Sequence, residues 1–499
     1  MNDSQQYFWT GWKLHLLVYV LCVAAGLVYM SQQRWSDTVA LAGDEWEYQS
    51  IAVNMIHGHG FPVSGGYEDS TVYKLHFDAQ AGGSQTWHDF YTGGRGYDFY
   101  RNPVYPLFIS AVYSISGVSP DVLRRVQFLL LILAGSMLPY LCCRMSLPRG
   151  MLIGVMAYAV FLFLDHSYAS DVMCEALIVA YTIVFVLWYV VLSHRQKVSH
   201  AVAVGVMMGI GLLLKNYFLP LFLFIVAYEC YLAFISKKTS SRTTIALLLG
   251  ITLTILPWSI YANHQLDKTN PGHPIVIITT QGDDVLLGSN NEYSADGHWH
   301  PEWSSRSESF YNRPDVKEHP GWWKVSAFYA HDTSVIPFYF SSKIMMGLFA
   351  TLSQLAFYLS MLGFVIVYQV RQRPLILGSL IVLAVIVLAI SGHIHSLLSG
   401  IADSSLNVHH MLRYPLIAIT IAAIWIYYRI QVAQSHRLPS ICWLLLANFA
   451  LLTLVFYGNS RITGVVDFVC LIFAFYNLSE IVTMLISARQ QTNNRSSEQ

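Results

Sequence analysis

Charge is what this chain has least of. Only 12% of its 499 residues are Asp, Glu, Lys or Arg, about half the fraction found in soluble domains, and the 29 acids cancel the 29 bases. With no net charge, no basic tail and no low-complexity block, nothing in the overall balance points to a nucleic-acid partner. Cysteine is scarce too. All seven (Cys22, Cys142, Cys143, Cys174, Cys230, Cys442 and Cys470) lie inside apolar segments without metal-site spacing. They exclude a disulfide framework and a zinc centre, and read as small buried hydrophobes. Asn-x-Ser/Thr sequons occur only at Asn2, Asn477 and Asn494, on segments assigned below to the cytoplasmic side or to the last helix. Lumenal glycosylation is therefore not indicated, and a bacterial plasma membrane is expected.

What is abundant is apolar length. Hydrophobic residues make up 55% of the chain, and runs of roughly 17–25 apolar residues, enough to cross a bilayer, recur along nearly all of it. Spans are expected near 14–31, 121–143, 150–165, 172–193, 200–214, 217–235, 244–262, 353–370, 375–398, 414–428, 440–457 and 464–487. This is an all-α integral membrane protein of roughly twelve helices (about 11–13). The first run has a weakly basic start and many spans behind it, so an uncleaved anchor is expected rather than a signal peptide.

Cations orient the spans. Arg144 and Arg149, Arg195 and Lys197, Lys237 and Lys238, Arg371 and Arg373, Arg429 and Arg437, and Arg489 fall in alternate connections. The intervening short loops hold little beyond Lys215, Arg413 and Arg461. Positive-inside asymmetry then places both termini in the cytoplasm. Two long connections, about 32–120 and 263–342, fall on the external side, and loops of that length in a compact membrane protein are usually functional. No repeat or soluble domain interrupts the pattern, so 1–499 reads as a single polytopic domain.

The first external loop opens with "GDEWEYQSIAVNMIHGHGF" from Gly43. Asp44 and Glu47 have capping-box spacing, and Tyr48, Ile51, Ala52 and Met55 follow on one helical face. On that reading the acids merely start an interfacial helix. A helix N-terminus also holds a carboxylate ionised and fixed in direction, so a cap and a catalytic base are compatible. Successive helical residues point about 100° apart, so Asp44 and Glu45 cannot both aim at one bond. One acts and the other supports, and the spacing does not say which.

The loop ends with "YRNPVYPLFISAVYSISG", where Arg101 and Tyr105 precede an amphipathic helix over 107–115. Arg101 reads either as a snorkelling anchor or as a phosphate ligand. Other charges gather on the same predicted face. Asp171 and Glu175 are expected one turn apart at the head of the fourth span, Lys215 in the turn of "LLLKNYFLP", and His409, His410, Arg413 and Tyr414 in "NVHHMLRYPL". Each alone is an ordinary interface anchor. Together they suit an anionic substrate met by Arg and Lys with carboxylates beside it.

In the second loop, "LLGSNNEYSADGHWH" offers Asn290 and Asn291 amides and the Trp299 ring for a polar, ring-shaped ligand, although turn chemistry alone explains the Gly and Asn residues. His298 with His300, and His57 with His59, lack a metal-site geometry. No metal site is assigned; the acids leave a divalent ion compatible.

Taken in order, these segments resemble the GT-C membrane glycosyltransferases, in particular the protein O-mannosyltransferases and the bacterial lipid A aminoarabinose transferases. "GDEWEYQSIAVN" is similar to their Asp-Glu-x-x-Tyr-x-x-x-Ala signature, "RNPVYPLF" to their Arg/Lys-x-Pro-x-x-Pro segment, and "LLLKNYFLP" to their Lys-containing turn. "LLGSNNEYSADGHW" resembles their Gly-x-Asn-Asn…Gly-x-Trp stretch and "LRYPL" their late Arg-Tyr-x-x-Pro. The chain departs from the aminoarabinose enzymes at Arg101 and Asn102-Pro103, where they have Lys and a Pro-Pro pair, so that activity is not carried over.

The resemblance implies inverting transfer of a sugar from a polyprenyl phosphate to a glycolipid, polysaccharide or protein on the external face. In that scheme Asp44 matches the essential acid, with Glu45 beside it. Arg101, Lys215 and Arg413 match positions near the donor phosphate. Tyr48, Tyr105, Asp171, Glu175, Asn290, Asn291, Trp299 and Tyr414 support the substrates. One base for the acceptor hydroxyl and a cationic setting for the departing phosphate meet the demands of such a displacement, without the paired acids of glycosidases. An oligosaccharide ligase using a pyrophosphate carrier and a lipid-linked sugar flippase remain alternatives. A flippase is disfavoured by the scarcity of mid-membrane charge.

Overall fold

The computed structural model describes residues 3–33, 44–56, 58, 60–61, 99–147, 149–165, 167–192, 197–237, 240–269, 271–294, 299–300, 304, 306, 308–348, 351–372, 440–456 and 464–497. All regular secondary structure among them is helical. Long apolar runs make this outcome necessary, because a helix satisfies its backbone hydrogen bonds within one segment and so tolerates lipid around it. Among the described residues, five helices are long and apolar enough to cross a membrane (11–32, 120–144, 216–235, 241–268 and 467–487), and shorter apolar helices accompany them. The expected spans at 375–398 and 414–428, with His409, His410, Arg413 and Tyr414, lie outside the described residues.

The chain divides into two compact units, residues 1–137 with 162–282, and residues 138–161 with 283–499. In the first, α1 (Asp3–Gln32) is followed by α2 (Asp44–Ile56), α3 (Val104–Ser116) and α4 (Pro120–Gly135). Then come α5 (Glu175–Leu192), α6 (Val198–Leu214), α7 (Leu219–Cys230) and α8 (Ser241–Thr269). Ser119 caps α4, its side chain accepting from Val122 N, with Pro120 at the first helical position.

The α6–α8 pair packs along a seam of small residues. A Cβ on Gly205 would run into the Leu247 carbonyl, one on Gly250 into that of Val202, and one on Gly209 into Thr254. Such seams let membrane helices approach backbone to backbone, where apolar area alone gives no preference for helix over lipid. The helix α8 continues past the expected end at 262 to Thr269. The Asn263 side chain holds that extra turn, donating to the Ser259 and Val276 carbonyls and accepting from Val276 N.

An aromatic core then fixes the approach to Arg101. Phe61 stacks on Phe99 at 5.9 Å, and the Trp258 ring meets both edge-on. The Thr279 hydroxyl donates to the Tyr100 carbonyl at 2.5 Å, and Thr280 N donates to that of Phe99. Phe99 sits at φ 51°, a left-handed conformation costing a bulky residue roughly 1–3 kcal/mol. The surrounding rings hold it there, two residues before Arg101.

The second unit contains the helix Leu138–Arg144, residues 150–161 of the helix Gly150–Asp165, α9 (Gly321–His331), α10 (Val335–Leu348), α11 (Leu352–Gln372), α12 (Ser440–Val455) and α13 (Asp467–Ser497). The helices α11 and α13 pack through Phe357 on Phe473 at 5.3 Å, and Asn477 donates to the Ser360 hydroxyl. A further core of Leu287, Tyr311, Val316, Phe328 and Tyr339 organises the described part of the second long loop.

Candidate functional site

Helix α2 opens on Asp44, and its acids reach the one guanidinium that Phe99 and Thr279 have placed. Arg101 donates from Nη2 to Asp44 Oδ1 at 2.5 Å and from Nε to Glu47 Oε2 at 2.5 Å. The cation lies over the Tyr48 and Tyr100 rings at 5.2 and 5.0 Å. Burial works against the Arg101 charge, but Tyr48, Asp44 and Glu47 around it outweigh that and hold its pKa well above the usual value. Two N–H groups of the fork are engaged by these acids, and no protein acceptor is recorded for Nη1 among the described residues.

Below the arginine lies Lys215, extended between α6 and the short helical turn 216–218, and buried. Its Nζ donates to the Tyr48 hydroxyl at 3.4 Å, which also pairs with Cys174 Sγ at 3.6 Å. Burial works against this ammonium, but its surroundings at Cys174, Tyr48 and Glu175 keep the pKa above the ordinary lysine value. Burial pushes the phenols of Tyr48 and Tyr105 well up, so both are neutral hydrogen-bonding groups at neutral pH. Tyr105 sets its ring edge-on to Tyr48 at 4.8 Å and donates to Gln127 Oε1 at 2.5 Å. It forms a wall of the site.

The divergence expected of Asp44 and Glu45 is observed. Glu45 is buried and accepts from Val172 N at 2.7 Å, while Gln127 donates to the neighbouring Asp171 carbonyl. These bonds, with Tyr113 donating to Gln49 at 2.5 Å, tie α2 to α3, α4 and the turn before α5. Accordingly α2 is enclosed on several faces, with Gln49, Ile51, Ala52, Val53 and Asn54 all buried. It does not lie open on a surface as the capping-box reading alone would have it. Asp44 is the most open acid of α2, its side chain 33% exposed against 19% for Glu47. Glu45→Gln keeps the acceptor for Val172 N, so this variant is expected to retain transfer within about tenfold of the parent, measured as sugar transferred per unit of protein.

Several expected site residues are placed differently. Asp171 and Glu175 do not share successive turns of a helix. Residues 171–173 form a bend and α5 begins at Glu175, leaving Asp171 exposed and Glu175 buried. In the second unit, Asn291 spends its amide on the Leu287 and Gly288 carbonyls, and its Oδ1 accepts from Tyr293 N. Trp299 turns the Nε1 edge of its indole onto Gly288, leaving no room for a Cβ there. Asn291 thus closes its own turn, and the Trp299 indole packs its Nε1 edge against the Gly288 backbone. Gly288 is required by that packing as well as by the turn.

Asn102 is among the residues that escaped the sequence reading. It donates to the Leu212 carbonyl at 2.9 Å and to Asn216 Oδ1 at 3.0 Å, which ties the Arg101 segment to the Lys215 turn. Its signal was present as the departure from the Pro-Pro pair. Among the described residues no group of three or more His, Cys, Asp or Glu is arranged to hold a metal.

Fold and site together define a polytopic helical membrane protein with two buried cations and a set of carboxylates gathered at one place in its first unit. Residues 101–261 match the family model of dolichyl-phosphate-mannose–protein mannosyltransferases, a family of GT-C membrane glycosyltransferases. No curated protein and no solved structure shows a match. The matched segment contains Arg101 and Lys215 and begins after Asp44. It points to a membrane glycosyltransferase that draws its sugar from a polyprenyl phosphate.

Proposed function

We propose that the chain is an inverting glycosyltransferase that moves one sugar from a polyprenyl phosphate to a hydroxyl of a glycolipid, polysaccharide or protein. The observation that carries this reading is the Asp44–Arg101 pair, a part-exposed carboxylate beside a buried guanidinium, with Lys215 beneath it. The acceptor hydroxyl loses its proton to Asp44 as its oxygen bonds to the anomeric carbon. The carbon–oxygen bond to the phosphate breaks, and the polyprenyl phosphate departs with one more negative charge. Arg101 and Lys215 stabilise that charge in a setting largely closed to water, where fixed cations act most strongly. Arg413 and Tyr414 would add a late basic and aromatic contact, and the apolar helices would hold the prenyl chain. In this proposal the whole chain works as one polytopic domain, both termini face the cytoplasm, and the site faces outward across a bacterial plasma membrane.

Membranes carrying the protein, supplied with short-chain polyprenyl-phosphate sugars and extracted envelope acceptors, test the reading directly. Sugar transferred and polyprenyl phosphate released in equal amounts support it. Movement of the intact lipid-linked sugar across the bilayer, without release of polyprenyl phosphate, would assign the chain to transport instead.

A further inference from the structure

The second unit buries a lysine that this chemistry does not use. Lys343, on α10, is fully enclosed and donates from Nζ to Asn290 Oδ1 at 2.5 Å. The same oxygen accepts from the Tyr329 hydroxyl at 2.8 Å. The Asn290 amide nitrogen is committed to the Leu286 and Val455 carbonyls, and its own carbonyl accepts from Tyr311. Asn290 is thereby locked in place with its oxygen aimed at the lysine, and it engages one of the three N–H bonds of Nζ.

No carboxylate lies within ion-pairing distance of Lys343 among the described residues. Helix α12, packed against α10, carries no charged residue. A buried ammonium whose hydrogen-bond acceptor among the described residues is one amide oxygen is costly to hold, a cost that an incoming anion would reduce. Burial draws the Lys343 pKa from 10.5 down to about 7, so the amine is set to gain a proton when an anion arrives. Among the described residues, the titratable groups Tyr311, Tyr329, Tyr339 and Glu292 cluster around Asn290. Burial raises the pKa of Tyr311 and Tyr329.

We propose that Lys343, oriented by Asn290, is an oxyanion-binding site of the second unit, built to take a phosphate- or sulfate-like group. Tyr329, which is partly exposed, shares the Asn290 oxygen with Lys343. The site stands independently of glycosyl transfer, because its readout is binding.

Binding of inorganic sulfate, which does not titrate near neutral pH, is measured by calorimetry on the purified full chain in uncharged detergent. Three proteins are compared: the parent, Lys343→Met and Arg101→Ala. The expected result is sulfate binding by the parent and by Arg101→Ala, weakened by about thirtyfold or more in Lys343→Met. Above pH 7 the parent takes up a proton approaching one per anion, seen by repeating the titration in buffers of different ionisation heat. Thermal unfolding supplies the control on folding. Lys343→Met is expected to unfold no earlier than the parent without sulfate, because it removes a buried charge while Asn290 keeps Tyr329. Phosphatidylglycerol against phosphatidylcholine in the micelles distinguishes a lipid headgroup from a soluble anion. A Lys343-dependent shift with the anionic lipid assigns the site to the headgroup, and a response to sulfate alone assigns it to a soluble oxyanion. Equal sulfate binding by parent and Lys343→Met, or binding by the parent without proton uptake, overturns the proposal. No binding of either anion by the parent also overturns it.

Discussion

Arg101→Ala is expected to lose sugar transfer by about a thousandfold or more and to lower the stability of the first unit by about 2–3 kcal/mol. The stability effect follows from what the substitution leaves behind. Asp44 and Glu47 each give a carboxylate oxygen to this guanidinium at 2.5 Å, and the guanidinium itself is buried. Removing it strands two acids that face one another with no cation between them, which is worse than never having placed them there. Asp44 is a third exposed, so water recovers part of its solvation, and the lower end of the usual range applies. Arg101→Lys separates charge from geometry. A lysine restores one positive charge but cannot reach both acids through a rigid fork, so it should recover stability in part and transfer only slightly. Thermal unfolding of the purified protein, run beside the transfer assay, checks both effects.

Asp44→Asn should give the opposite pattern: transfer falls by about 10²–10⁴, and stability changes little. The asparagine keeps an oxygen for Arg101 Nη2 and has nearly the same volume. What it loses is the capacity to take the acceptor proton. If Asp44 were only a cap and a partner for Arg101, transfer would survive as well as the fold does. Glu45→Gln is the matched control, because the same chemical change falls on a buried acid that accepts from Val172 N.

How much of this was legible before the structure depended on which force fixed each feature. Several spans among the described residues were readable because apolar length across a bilayer is a property of contiguous sequence. The ends at 150–165, 200–214 and 353–370 lie within two residues of helix boundaries in the structure. The end at 262 was not readable, because α8 continues on a side-chain bond from Asn263 to a segment 13 residues away. In the site, Asp44, Arg101 and Lys215 stood out because charge is rare in such a chain and ordered motifs framed it. Most of their neutral partners did not. Cys174, Gln127 and Asn102 act through contacts spanning tens to more than a hundred residues, which periodicity does not report. Charge pattern also could not distinguish an acid enclosed against a backbone amide, such as Glu45, from one left open, such as Asp44. Asn290 was visible as a polar residue in a Gly-Asn turn, but the lysine it faces lies 53 residues on, outside any motif.

The most direct measurement compares membranes carrying the parent with membranes carrying Asp44→Asn at matched abundance, counting sugar transferred and free polyprenyl phosphate released from the same donor. Equal amounts of the two products from the parent, with both lost together in Asp44→Asn, are the expected result. Transfer at the parental rate by Asp44→Asn would contradict the assignment of Asp44 as the base.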